Sequence, residues 1–163
     1  MRNRQSIRLK GYDYKRAGGY FVTICAWQRD PVFGNIFEDG MVMNDCGKIV
    51  EEAWLTLGCR FPNIELDEFI VMPNHFHSIL FLVESPQEFV PRSYGLSEIV
   101  GGFKSQSARK INLIQDTTGI PVWQRGYYDH IIRNETELEL IRKYISSNPT
   151  RRESDNEYPP KIR

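Results

Sequence analysis

Two histidines one residue apart, His75 and His77, stand in Met72-Pro73-Asn74-His75-Phe76-His77. On an extended strand such residues project from one face while Phe76 turns to the other. Two neutral imidazoles so placed can share a divalent cation and leave coordination positions open for phosphate oxygens or water, which catalysis needs and a closed structural site lacks. An ordinary pair of hydrogen-bonded histidines is the competing reading. Other chemistries with this spacing fit poorly. A cupin-type site wants a carboxylate soon after the second histidine, but 79–83 is apolar and Glu84 comes too late. A two-histidine phosphoesterase needs a distant second His-x-Ser/Thr, and the third histidine is His130.

The second constellation is Tyr144-Ile145-Ser146-Ser147-Asn148-Pro149. Four residues apart on a helix, Tyr144 and Asn148 share a face that can be laid over the histidine strand. A phenolate can attack a phosphodiester, but a phenol of ordinary pKa near ~10 needs a cation to polarise the phosphate. The alternative is a helix tyrosine packed on its neighbours, with Asn148 as a C-terminal cap. With eight tyrosines in the chain, tyrosine by itself decides nothing.

Several elements must position these residues. Aromatic and β-branched residues predict a strand over 20–27, and Asp39-Gly40 predicts the tight turn of a hairpin before Met41-Val42-Met43. Ile49, Val50, Ala53, Trp54 and Leu57 recur at helical spacing, predicting a helix over 45–58 capped by Asn44 or Asp45 and ended by Gly58. Strands over 64–71 and 75–83 follow, joined antiparallel through Met72-Pro73-Asn74. A second helix opens at Ser97 and runs past Ile111, a strand covers 126–132, and a third helix spans 134–147 before Pro149 stops it. This order predicts an α+β, ferredoxin-like or RRM-like antiparallel β-sheet with helices packed on one face, an extra C-terminal helix, and the other face free for a ligand.

At 163 residues, 40% hydrophobic and 26% charged, the chain 1–163 reads as a single domain with a basic N-terminal arm over 1–18 and a polar C-terminal tail over 150–163. It has no repeat, and no apolar run approaches a membrane span or a signal-peptide core, so a cytoplasmic protein without a membrane partner is expected. Cys25, Cys46 and Cys59 lack Cys-x-x-Cys spacing and are expected as core thiols. The formal net charge is zero, yet a balanced total can hide a basic face, and Arg2, Arg4, Arg8, Lys10, Lys15 and Arg16 crowd the start.

Taken together, these residues make the chain resemble the single-tyrosine HUH transposases of the IS200-like superfamily, and more particularly the REP-associated tyrosine transposases. The matching segments are 6–14, Gly19 to Ile24, Val71 to His77, Ile99 to Ser105, Trp123 to His130 and Tyr144 to Pro149. The resemblance implies a transposase or endonuclease that cuts and rejoins single-stranded DNA, in hairpin-forming palindromic elements, through a 5′-phosphotyrosine intermediate. It makes Tyr144 the catalytic nucleophile and His75 and His77 the ligands of Mg2+ or Mn2+. Asn148 stands where superfamily members carry a metal-binding glutamine, with His130 as an alternative ligand or a supporting residue. Arg8, Lys10, Lys104, Arg109, Lys110 and Arg125 are expected to contact DNA phosphates, and Tyr12, Tyr14 or Trp123 to stack on bases. Both a monomer and a homodimer with shared sites are compatible with it. Two other classes compete: a non-catalytic single-stranded nucleic-acid-binding protein of RRM-like fold, and a metal-dependent hydrolase that uses water instead of Tyr144.

Overall fold

The computed structural model of the chain describes residues 11–84 and 93–148. Arg8 and Lys10, most of the expected arm and the tail over 150–163 lie outside the described residues.

Six strands and three α-helices follow in order: β1 Gly18–Cys25, β2 Gly34–Phe37, β3 Gly40–Met43, α1 Asp45–Leu55, β4 Ile64–Met72, β5 His75–Leu82, α2 Leu96–Gln115, β6 Tyr128–Ile132 and α3 Glu135–Ser147. The main sheet has the order β4-β5-β1-β6, antiparallel throughout, and β2 and β3 form a separate hairpin. β1 is central and buried along both faces, which suits its Tyr-Phe-Val-Thr-Ile run. It ends two residues before the expected Trp27, because the backbone N–H groups of Ala26 and Trp27 donate to Asn74 O and Val122 O (2.8 Å each).

α1 and α2 cover one face of the sheet, over a core that includes Tyr20, Val22, Ile24, Trp54, Phe76, Leu80, Ile99 and Phe103. Asn44 caps α1 by accepting from Gly47 N–H at 3.0 Å, and the N–H of Gly95 donates to Glu98 at 3.1 Å at the start of α2. α1 stops at Leu55, and a 3-10 turn, Leu57–Cys59, takes the place of the last expected helical turn. Leu57 is buried there while Cys59 is exposed. Of the three expected core thiols only Cys46 is buried; Cys25 is intermediate. In the hairpin the loop is Glu38-Asp39, not Asp39-Gly40: Gly40 already pairs with Phe37, at a φ of 119° that disfavours a side chain.

The opposite face is not open. α3 lies across it, and Leu138, Ile141, Tyr144 and Ile145 pack on Phe21 and Ile79. Leu138, Ile141 and Ile145 form an apolar stripe at helical spacing, and burying each such side chain is worth about 1.5–3 kcal/mol. The sheet face that carries the histidines is the surface available to that stripe.

Candidate functional site

Residues opposite one another in an antiparallel pair share a sheet face, so register fixes the site. Thr23 lies opposite His77 and Cys25 opposite His75 on β1, while Ile70 and Met72 face the same two histidines from β4. Their rings are 4.6 Å apart between centroids, and His77 stacks on Phe21 at 5.5 Å. His75 is 3% and His77 0% exposed. Each ring is oriented through Nδ1. His75 Nδ1 donates to Asn74 Oδ1 at 2.7 Å, and His77 Nδ1 is 2.8 Å from Thr23 Oγ1. A donating Nδ1 leaves the lone pair on Nε2, the tautomer that a metal ligand requires. Thr23 and Asn74 are the functional partners that sequence reasoning missed; Asn74 lay inside the motif without a role, and Thr23 carried no local signal.

α3 sets Tyr144 over this face. Its ring centre is 5.4 Å from that of His77 and 6.2 Å from that of Phe21. Polar side-chain contacts pin the helix to both edges of the sheet. On β4 the register slips between Leu66 and Phe69, and Asp67 in this bulge accepts two hydrogen bonds from Arg142, at 2.9 Å from Nε and 2.6 Å from Nη2. On β6, His130 Nε2 meets Glu137 Oε1 at 2.5 Å, and Glu137 Oε2 accepts the Arg133 N–H at 2.7 Å. Asn134 completes this end by capping the Glu137 N–H at 2.8 Å.

The hydrogen bonds from Arg142 hold Asp67 below the ordinary carboxylate pKa. For Glu137 burial pushes upward, but the Arg133 N–H and His130 outweigh it and the net shift is downward. Carboxylates depressed in the folded state stabilise it above their unfolded values, near ~4, and that contribution is lost as pH falls through the lower folded values. The melting temperature is therefore expected to drop on acidification below about pH 4, and less steeply in an Asp67→Asn, Glu137→Gln chain. Thermal melts across this range check it; equal slopes would contradict the role given to the two clamps.

Asn148 closes α3 and is 2% exposed. It lies one helical turn beyond Tyr144, and its side-chain nitrogen is buried without a hydrogen-bond partner. A half-turn of the amide would put its oxygen in that position, where a cation would satisfy it. Among the described residues no three His, Cys, Asp or Glu side chains converge to hold a metal. The candidate donor set is accordingly the two imidazoles and this amide, with coordination left for substrate oxygens. His130, the alternative ligand of the sequence reading, is held by Glu137.

The structure does not gather the expected DNA contacts around this site. Lys104, Arg109 and Lys110 sit on α2, across the sheet from the histidines. Lys104 Nζ donates to the Gln124 and Gly126 carbonyls at 2.7 and 3.0 Å, and its burial lowers its pKa. Lys110 pairs with Glu52 of α1 at 3.0 Å. Arg109 and Arg125 are exposed. Trp123 is only 6% exposed, donates to Ser107 Oγ at 3.0 Å and packs on Phe33, so it is a core residue. Tyr12 and Tyr14 are half-buried against each other and the core.

A histidine pair on a central strand beneath a tyrosine-bearing helix, in this sheet order, defines an α+β protein of the transposase type. The chain belongs to the IS200-like transposase family, whose sequence model matches residues 20–148. An uncharacterised protein of Haemophilus influenzae is 38% identical over 175 aligned positions, spanning 96% of this chain and 93% of its own. Among solved structures, a REP-associated tyrosine transposase bound to a REP hairpin has the same fold, with a TM-score of 0.64 at 19% identity over 91% of this chain and 75% of its own. A candidate transposase from Deinococcus radiodurans aligns with a TM-score of 0.50 at 20% identity, over 86% and 95% of the two chains. Among the described residues no helix is long and apolar enough to cross a membrane.

Proposed function

We propose that this protein cleaves and rejoins single-stranded DNA through a covalent 5′-phosphotyrosine link at Tyr144, with His75, His77 and Asn148 holding a divalent ion. The observation that carries the reading is Tyr144 seated over His77 at 5.4 Å, on the face where both imidazoles have Nδ1 tied to protein oxygens. Bound there, Mg2+ or Mn2+ would polarise the phosphate and stabilise its developing charge. The Tyr144 phenol gives up its proton and its oxygen attacks phosphorus, the bond to the 3′ oxygen of the upstream nucleotide breaks, and that oxygen takes up a proton to leave as a 3′-hydroxyl, so one proton is lost and one gained. Because the phosphodiester energy is kept in the tyrosine ester, rejoining needs no ATP.

His75, His77 and Tyr144 are at most 8% exposed, so on this reading a DNA strand has to displace part of α3 to reach them. Within one chain the contacts of α3 with its own sheet bring Tyr144 to the two histidines, and both a monomer and a homodimer remain compatible with the reading. The REP-associated structural relative is bound to a REP hairpin, and a DNA hairpin with single-stranded flanks is the substrate to try first. A denaturation-resistant protein–DNA adduct that forms with Mn2+ and not in chelator supports the reading. Cleavage without an adduct would favour a hydrolase, and binding without cleavage a nucleic-acid-binding protein.

For Asn148→Ala the expected result is a rise of about 10-fold or more in the metal concentration for half-maximal cleavage, with little change in melting temperature. Asn148 in a purely capping role would instead cost about 1 kcal/mol of stability and leave the metal midpoint unmoved. Metal titrations alongside thermal melts separate the two.

A further inference from the structure

Beyond Cys25, the residue opposite His75, the chain leaves the sheet in a 3-10 turn, Trp27–Arg29, where Gln28 and Arg29 both adopt left-handed backbone (φ 54° and 61°). Two successive non-glycine residues in this region persist only where their surroundings hold them. The holders are specific. The Trp27 N–H donates to Val122 O at 2.8 Å, the Arg29 N–H to Ala26 O at 3.1 Å, and Asn74 Nδ2 to Arg29 O at 3.3 Å. The other end of that Asn74 amide accepts from His75 Nδ1. One side chain thus couples the strained turn to a candidate metal ligand.

The turn holds Trp27 41% exposed, whereas Trp54 and Trp123 are 0% and 6% exposed. A large aromatic side chain presented to solvent on a held turn, two residues past the partner of His75, is placed for a flat, unpaired ligand that runs on from the catalytic site. Bases offer π-faces whatever their sequence, and Arg29 on the same turn is exposed.

We propose that Trp27 is a stacking platform for an unpaired base flanking the scissile phosphate. This rests on the DNA-cleaving reading and adds a substrate contact to it. Trp27 is the exposed one of the three tryptophans, and its share of the intrinsic fluorescence is read as the difference between the wild type and Trp27→Leu. The probe is a synthetic DNA hairpin with single-stranded flanks, with a fully paired duplex as control. The hairpin is expected to quench the wild-type protein and the duplex is not. Trp27→Leu is expected to lose the quench and to bind roughly 5- to 150-fold more weakly, the range of base–aromatic stacking. That loss should appear in KM for cleavage with kcat preserved, and Trp27→Phe should restore much of the affinity. Wild-type binding without quenching, together with equal affinity in Trp27→Leu, would overturn the platform while adduct formation still upheld the parent reading. A wild type that neither binds the hairpin nor forms an adduct would overturn both.

Discussion

Replacing Tyr144 with phenylalanine is expected to erase the covalent protein–DNA adduct and leave the fold almost unchanged. The ring is what packs: it meets Phe21 and His77 edge-on at 6.2 and 5.4 Å and completes the small core beneath α3. Phenylalanine keeps that ring and deletes only the oxygen proposed to attack phosphorus. Strand cleavage should fall on the order of 1,000-fold or more, while stability changes by no more than about 1.5 kcal/mol, the net value of one hydrogen bond. The assay is a denaturing gel of a substrate labelled at its 3′ end, because the downstream fragment is the one that stays on the tyrosine. Tyr128→Phe is the matching control. Tyr128 stands on the same sheet face and also packs against Phe21, at 6.5 Å, but it belongs to a strand and has no amide one helical turn beyond it. An adduct of undiminished yield from Tyr144→Phe would remove the assignment.

The second large effect is expected at His75. Alanine there removes one of the two proposed imidazole ligands and frees the Asn74 amide that orients it. The metal concentration for half-maximal cleavage should rise by at least about 100-fold, since even the loss of a supporting partner costs 10- to 100-fold. His75 is the better test of the pair. His77 is fully buried and stacked on Phe21 at 5.5 Å, so alanine there also opens a cavity in the sheet's second face. Full activity of His75→Ala, or of the wild type in chelator, would contradict a metal-assisted reaction.

The placement of the candidate groups was legible in the sequence because their geometry is local. A period of two puts His75 and His77 on one strand face, and a spacing of four puts Asn148 under Tyr144 whatever the rest of the chain does. The alternation of strands and helices gave the antiparallel sheet with two helices on one face, since each crossover must pass over the same side. What orients the ligands was not legible. Thr23 reaches His77 across 54 positions of sequence through the β1–β5 register, and Asp67 reaches Arg142 across 75 from a bulge. Neither a pairing register nor a bulge has a signature in the residues alone. The partners of Lys104 were hidden for the same reason: in the sequence it reads as a free cation, and only the fold puts the 124–126 loop against it.

The reading turns on which atom becomes bonded to DNA. Trapping the wild-type protein on the hairpin substrate with Mn2+, digesting it and locating the nucleotide-bearing peptide by mass spectrometry tests this directly. A nucleotide on the peptide containing Tyr144, and on no other, is the predicted result; a nucleotide on Tyr127 or Tyr128, or cleaved DNA with unmodified protein, would contradict it.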